Sequence, residues 1–198
     1  MESLLSIGSC TFVRVFTLGR LDVVIDGKRL YFRGRAPLRP LAVLGALIAS
    51  GGRGVSTGAL ADLLWPDADG FDAYRALTAA LHRLRRVLRC RDAIRLSAGQ
   101  LSLDPTICQV DVWDFERSVR TARSRDELLA ALELYRGPFL GDDPSCWAIA
   151  TRRRLEHIVA KVRRRLQVSD EGDDAFPADA ADISLTAFGL GTPDTSES

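Results

Sequence analysis

Residues 71–91, FDAYRALTAALHRLRRVLRCR, constrain the fold more than any other stretch. Leu77, Leu81, Leu84 and Leu88 recur at helical spacing and form one apolar stripe. The opposite side carries Arg75, Thr78, His82, Arg85, Arg86 and Arg89, with Arg83 on the flank. Between positions 71 and 95 there are seven arginines (Arg75, Arg83, Arg85, Arg86, Arg89, Arg91, Arg95) against Asp72 and Asp92, a local charge of +5. A helix that buries one face and turns an arginine-rich face outward suits the major groove of DNA, which is wide enough to admit it. The competing reading is a solvated charged face on an ordinary core helix.

Charge distribution favours a polyanion partner. The overall net charge is only +1, but the first 166 residues hold all 27 Lys and Arg and 18 of the 26 acids, a net +9. Residues 167–198 carry eight acids and no Lys or Arg, and read as an acidic disordered tail. Within it, Ile183-Ser-Leu-Thr-Ala-Phe-Gly-Leu is a short apolar island.

No enzyme signature appears, and no cofactor or metal is expected. His82 and His157 are the only histidines, and neither has a metal-ligand partner one helical turn away. Gly51-Gly-Arg-Gly lacks the Lys-Ser/Thr of a phosphate loop and follows a helix, so it reads as a turn. Cys10, Cys90, Cys108 and Cys146 are too far apart for a metal or redox pair. Free thiols in a reducing cytoplasm are expected. Glu2 stands where a signal peptide needs positive charge, and no apolar run approaches the ~20 residues of a membrane span.

Taken in order, residues 12–32 read as β-structure, with an Asp26-Gly27 hairpin turn, predicting a small antiparallel sheet of three or four strands. Residues 33–40 read as a loop. A short helix follows over 41–50, with Pro40 in its first turn and Leu41, Leu44, Leu47 and Ile48 inward. Ser56 can cap a second helix over 57–64, buried through Leu60, Leu63 and Leu64 and ended by Trp65-Pro66. An acidic loop over 66–70 leads into the basic third helix, placed at about 73–89. Ile94 and Leu96, then Leu101 and Leu103, alternate around a polar Ser-Ala-Gly-Gln tip and predict a β-hairpin. Sheet, three helices and hairpin make the order of a winged helix, with the hairpin as the wing. Beyond it, Leu128, Leu129, Leu132 and Tyr135 form one helical stripe, and Leu155, Ile158, Val159, Val162 and Leu166 another. Trp113, Phe115, Tyr135 and Trp147 read as core. The arginines of the last helix read as a solvated face, or as additional phosphate contacts.

VRVFTLGRLDVVIDGKRL at 13–30, VSTGALADLLWPDA at 55–68, RALTAALHRLRRVL at 75–88 and IRLSAGQLSLD at 94–104 resemble the OmpR/PhoB-type winged-helix DNA-binding domain of the Streptomyces antibiotic regulatory protein (SARP) family. VDVWDFERSV at 110–119, ELLAALELYRGPFLGDD at 127–143 and WAIATRRRLEHIVAKVRRRL at 147–166 resemble the start of the bacterial transcriptional activator domain. In that family this domain is an all-helical, tetratricopeptide-like module. The resemblance implies an α+β fold: an N-terminal extension at 1–11, a winged helix at 12–104, a short helical segment at 111–166 and the acidic tail at 167–198. The family's helical module usually continues through more pairs, whereas here the helical pattern stops near Leu166.

The function implied is sequence-specific binding of double-stranded DNA by a transcriptional regulator. The resemblance puts Arg75, Thr78, Ala79, His82 and Arg83 toward the groove, Arg85 and Arg86 toward phosphates, and Arg95 and Gln100 in a wing on the backbone or minor groove. It also implies a homodimer on repeated half-sites and an RNA polymerase contact through the loop at 65–72. Ala79-Ala80 departs from the family, where longer polar residues are common, and predicts sparse base readout. The alternative is a protein-interaction module whose winged helix no longer binds DNA specifically.

Overall fold

The computed structural model describes residues 12–31 and 38–168; the N-terminal extension at 1–11 and the acidic tail from residue 169 lie outside the described residues. Strands β1 (Val13–Phe16), β2 (Asp22–Ile25) and β3 (Lys28–Arg29) form the expected antiparallel meander. Val13, Val15, Val23 and Ile25 point into the core, so strict alternation fixes the register. Asp26 and Gly27 both have positive φ (49° and 75°), the type I′ turn that this dipeptide favours. The third strand is only two residues long, and Phe32, read as part of it, lies outside the described residues.

The sheet has a fourth strand that the sequence reading assigned to no element. β7 (Cys108–Val110) comes after the hairpin and pairs parallel with β1, so the sheet is mixed rather than antiparallel. Its order is β3-β2-β1-β7.

Helix α1 (Leu38–Ala49) starts three residues before the predicted Leu41, taking in the end of the supposed loop. Val43, Leu44, Ala46, Leu47 and Ile48 are all buried, because helices pack on both sides of it; Leu41 is only half-buried. Strand β4 (Val55–Ser56) precedes α2 (Thr57–Leu64). Ser56 caps α2 as expected, its Oγ accepting from the Ala59 N–H at 3.4 Å. Leu60 is buried, but Leu63 is exposed and Leu64 half-buried. Helix α3 (Gly70–Val87) starts earlier than predicted, which shortens the preceding loop to residues 65–69. Strands β5 (Ile94–Ser97) and β6 (Gln100–Leu103) form the predicted hairpin, and β4 joins it to make a second sheet, β4-β6-β5.

Three helices follow: α4 (Asp111–Thr121), α5 (Arg125–Leu134) and α6 (Cys146–Val168). On α5 the buried residues are Leu128 and Ala131, with Leu132 and Tyr135 half-buried; Leu129 is exposed, against the predicted stripe. The α6 stripe is buried throughout, from Leu155 to Leu166.

One apolar core runs through both parts of the chain. At the start of α4 the Asp111 carboxylate accepts from the Thr17 N–H and hydroxyl (2.8 and 2.7 Å) and from the Leu18 N–H (3.0 Å), locking this helix to the end of β1. The Trp147 indole presses on Gly45 of α1, where an added Cβ would lie 3.0 Å from the ring. The sheets and helices together make a winged-helix-like α+β arrangement.

Candidate nucleic-acid interface

Helix α3 is built to stand with one face buried. Asp69 caps it, its Oδ1 accepting from the Asp72 N–H at 2.8 Å. Asp72 in the first turn and Arg85 and Arg86 in the last match the helix dipole. Ala73, Leu77, Ala80, Leu81 and Leu84, then Leu88 at the cap, are buried. Helical geometry therefore turns Arg75, Thr78, Ala79, His82, Arg83 and Arg86 outward, and all six are exposed; Arg89, past the cap with a φ of 54°, is exposed as well. Ala80 faces the core, so of the two small residues only Ala79 lies on the outer face.

The expected contact residues divide by what already holds them. Ala79, His82, Arg83 and Arg86 have no side-chain partner among the described residues. Arg75 is lightly engaged, with Asp72 3.8 Å away and its guanidinium 5.6 Å from the Phe71 ring centroid. The Thr78 hydroxyl donates back to the Tyr74 carbonyl at 2.9 Å. Arg85 is different in kind. Its Nε and Nη2 both donate to the Ile94 carbonyl, at 3.3 and 2.8 Å, and strap α3 to strand β5. Arg95, exposed on that strand, pairs with the buried Asp104 carboxylate. Gln100 is exposed, its side-chain amide over Gly54.

Asp104 carries no weight in the sequence reading, yet it anchors this side of the molecule. Its Oδ1 accepts from the Thr106 N–H and hydroxyl at 2.8 and 2.6 Å, and its backbone carbonyl accepts from Ile107 and Cys108 at the entry to β7. The Thr106 hydrogen bonds, with Arg95 adding to them, hold its carboxyl below the usual range despite burial. The hairpin turn, Ala98-Gly99, is fixed too: the Gly99 carbonyl accepts from both the N–H and the hydroxyl of Thr57, each at 2.9 Å. The hairpin tip thus sits on the N-terminus of α2.

Sequence reasoning also passed over two aromatic rings. Phe71 and Tyr74 are 71% and 49% exposed at the start of α3. For Phe71 the signal was present, since it falls off the leucine stripe extended backward; Tyr74 continues that stripe at the same spacing before Leu77 and Leu81, so its exposure was not legible. Among the described residues no group of three or more His, Cys, Asp or Glu is placed to hold a metal ion. No helix there is long and apolar enough to cross a membrane.

This order of sheet, helices and hairpin is shared with a known structure. Mycobacterium tuberculosis EmbR, solved in complex with a low affinity phosphopeptide, superposes with a TM-score of 0.61 at 21% sequence identity. The match covers 79% of this chain and 45% of that one, so the chain spans less than half the length of the protein it resembles. At that identity the likeness is one of fold. No family model matches the chain, and no curated protein does.

Proposed function

We propose that the chain is a DNA-binding transcriptional regulator of the SARP kind, with α3 in the major groove. The observation that carries this reading is the outer face of α3: Arg75, Arg83 and Arg86 exposed along a helix whose other face is buried, with Arg89 exposed just past its end. Such a face supplies phosphate contacts along its length and base contacts at its middle. The fold likeness to EmbR, itself a SARP-family regulator, supports it. Arg83, His82 and Ala79 are the base-facing candidates, and Arg86 and Arg89 the phosphate-facing ones. Arg85 and Arg95 act first as internal struts, Arg95 and Gln100 reaching DNA only where the hairpin lies against the backbone. The helices α4 to α6 are the beginning of the tetratricopeptide-like module. The loop at 65–69, with Phe71 and Tyr74 beside it, is the surface offered to RNA polymerase. Two copies on repeated half-sites about one helical turn apart would supply the specificity one short helix cannot.

The test is titration of the full chain against DNA from upstream of its own coding sequence and against scrambled DNA, from low to moderate salt. Preference for the upstream DNA and steep weakening with salt are expected. Binding that is flat with salt would exclude groove docking by this face. It would leave the protein-interaction module, a reading favoured by the bare Ala79 and by the internal commitments of Arg85 and Arg95.

A further inference from the structure

The loop after α5 is fastened to the end of β1. The Gly19 N–H donates to the Pro138 carbonyl at 2.8 Å, and the Leu140 N–H donates to the Thr17 carbonyl at 2.7 Å. Leu18 and Phe139 form an isolated β-bridge between them. The two backbones meet at glycines, since a Cβ on Gly137 would lie 3.1 Å from the Gly19 Cα. This rigid mount carries Arg136. Its side chain is exposed, its guanidinium lies 5.7 Å from the Phe16 ring centroid, and it has no ion pair or side-chain hydrogen bond among the described residues.

Beside Arg136 the outer face of the first sheet holds a hollow of about 470 Å³. That size falls in the range of small-molecule sites, roughly 300–1,000 Å³. Strand alternation supplies its apolar lining. Val13, Val15, Val23 and Ile25 turn into the core, which leaves Phe16 and Val24 on the opposite face, and Leu18 joins them. Its charged lining is Arg20, Arg29 and Arg136 against Asp22, a net +2. Asp22 is already committed, accepting from the Arg20 Nε at 2.7 Å and from the Arg29 Nε and Nη2. It holds these two arginines at the hollow and leaves the Arg136 charge uncompensated. A guanidinium fixed on a ring, with its donors unused, presents the planar fork that a carboxylate matches.

We propose that this hollow binds a small organic anion, with an apolar body against Phe16, Leu18 and Val24 and a carboxylate on the Arg136 guanidinium. None of the lining residues belongs to α3 or to the β5–β6 hairpin, so the site does not rest on the DNA-binding reading. The test is a proton–nitrogen NMR titration of the full chain with three probes: 2-naphthoate, its neutral counterpart 2-naphthalenemethanol, and inorganic phosphate. Saturable shifts are expected with 2-naphthoate at the amides of residues 16–24 and 136–137. The alcohol, which lacks the charge, and phosphate, which lacks the apolar body, should each bind about tenfold more weakly or less. Arg136→Gln changes an exposed side chain outside the core and should weaken 2-naphthoate about tenfold. Arg153→Gln, exposed on α6, should leave binding unchanged. Absence of saturable shifts at these amides would overturn the proposal. So would equal binding of the alcohol, equal binding of phosphate, or an Arg136→Gln chain that keeps its circular dichroism and binds as before. Shifts centred on α3 would overturn it as well, since they would mean that the anion collects on the outer arginines of that helix.

Discussion

At Gly52 the chain turns with a φ of 67°, and the indole of Trp113 lies where a side chain would stand, 2.3 Å from an ideal Cβ. The Gly52 carbonyl accepts from the Leu103 N–H at 2.8 Å, so this residue holds the hairpin on one side and α4 on the other. Gly52→Ala adds a left-handed backbone cost to a clash with a packed ring, and should destabilise the protein by about 2–4 kcal/mol, read from urea unfolding. Cysteine chemistry divides by burial. Cys108 is buried and its Sγ–H faces the Ala93 carbonyl at 3.7 Å; burial pushes its thiol up to about 12, so it stays protonated through the neutral range. Cys146 is exposed. Iodoacetamide at pH 8 should therefore label Cys146 and spare Cys108 in the folded chain, and both in urea, as counted by peptide mass spectrometry. Labelling of Cys108 at the same rate without denaturant would contradict its burial.

Three arginines within one turn of α3 have three different tasks, and mutation separates them. Arg83, exposed and next to Ala79 on the outer face, is the candidate for two hydrogen bonds to a guanine. Arg83→Ala should cost about 1–3 kcal/mol on the preferred site and relax the preference at one base position. Arg86→Ala should weaken preferred and scrambled DNA alike. Arg85→Ala should act on the fold, losing the strap to Ile94 and about 1–2 kcal/mol of stability. Equal losses on both DNAs for Arg83→Ala would remove it as a reader of sequence. How far each feature was legible in the sequence follows from what determines it. The α3 face and the two hairpins were legible because helical period and Asp26-Gly27 or Ala98-Gly99 turn chemistry are local. The pairing of β7 with β1 was not, since it joins Val13 to Cys108 across most of the winged-helix segment and rests on three residues with little pattern. On α5 the period allows either Leu128 or Leu129 to face inward. The partner decides: Leu128 is buried beneath a helix whose Phe115 ring meets Tyr135 at 5.5 Å. Similarly, nothing in the sequence distinguishes Arg85 from Arg86; only the position of β5 makes one a strap and the other a free cation.

Across the whole molecule, packing joins what the motifs divide. Trp113 on Gly52 and Trp147 on Gly45 place two of the three tryptophans at the seam between the winged-helix elements and the α4–α6 helices. Urea unfolding should then be a single transition, with tryptophan fluorescence and far-ultraviolet circular dichroism superimposing; an earlier fluorescence transition would mean that the helices detach first. The same accounting of internal contacts bears on DNA affinity. Counting charge along the sequence alone would enlist every arginine from residue 75 to 95, but Arg85 is held by Ile94 and Arg95 by Asp104. Of the remaining five, Arg91 lies four residues beyond the end of α3, which leaves four exposed cations on it or directly beside it: Arg75, Arg83, Arg86 and, just past the cap, Arg89. Each phosphate neutralised releases counterions, so the slope of log K against log salt should be roughly −3.5 per protomer for about four phosphates. Two protomers bound together on one site should double it. Arg86→Ala should reduce the slope by about one unit per protomer, and Arg85→Ala, once corrected for lost folded protein, should leave it unchanged. Anisotropy titrations from about 50 to 200 mM salt read both values. A slope that Arg85→Ala reduces as much as Arg86→Ala would show that the strap opens on DNA and that Arg85 serves the phosphates.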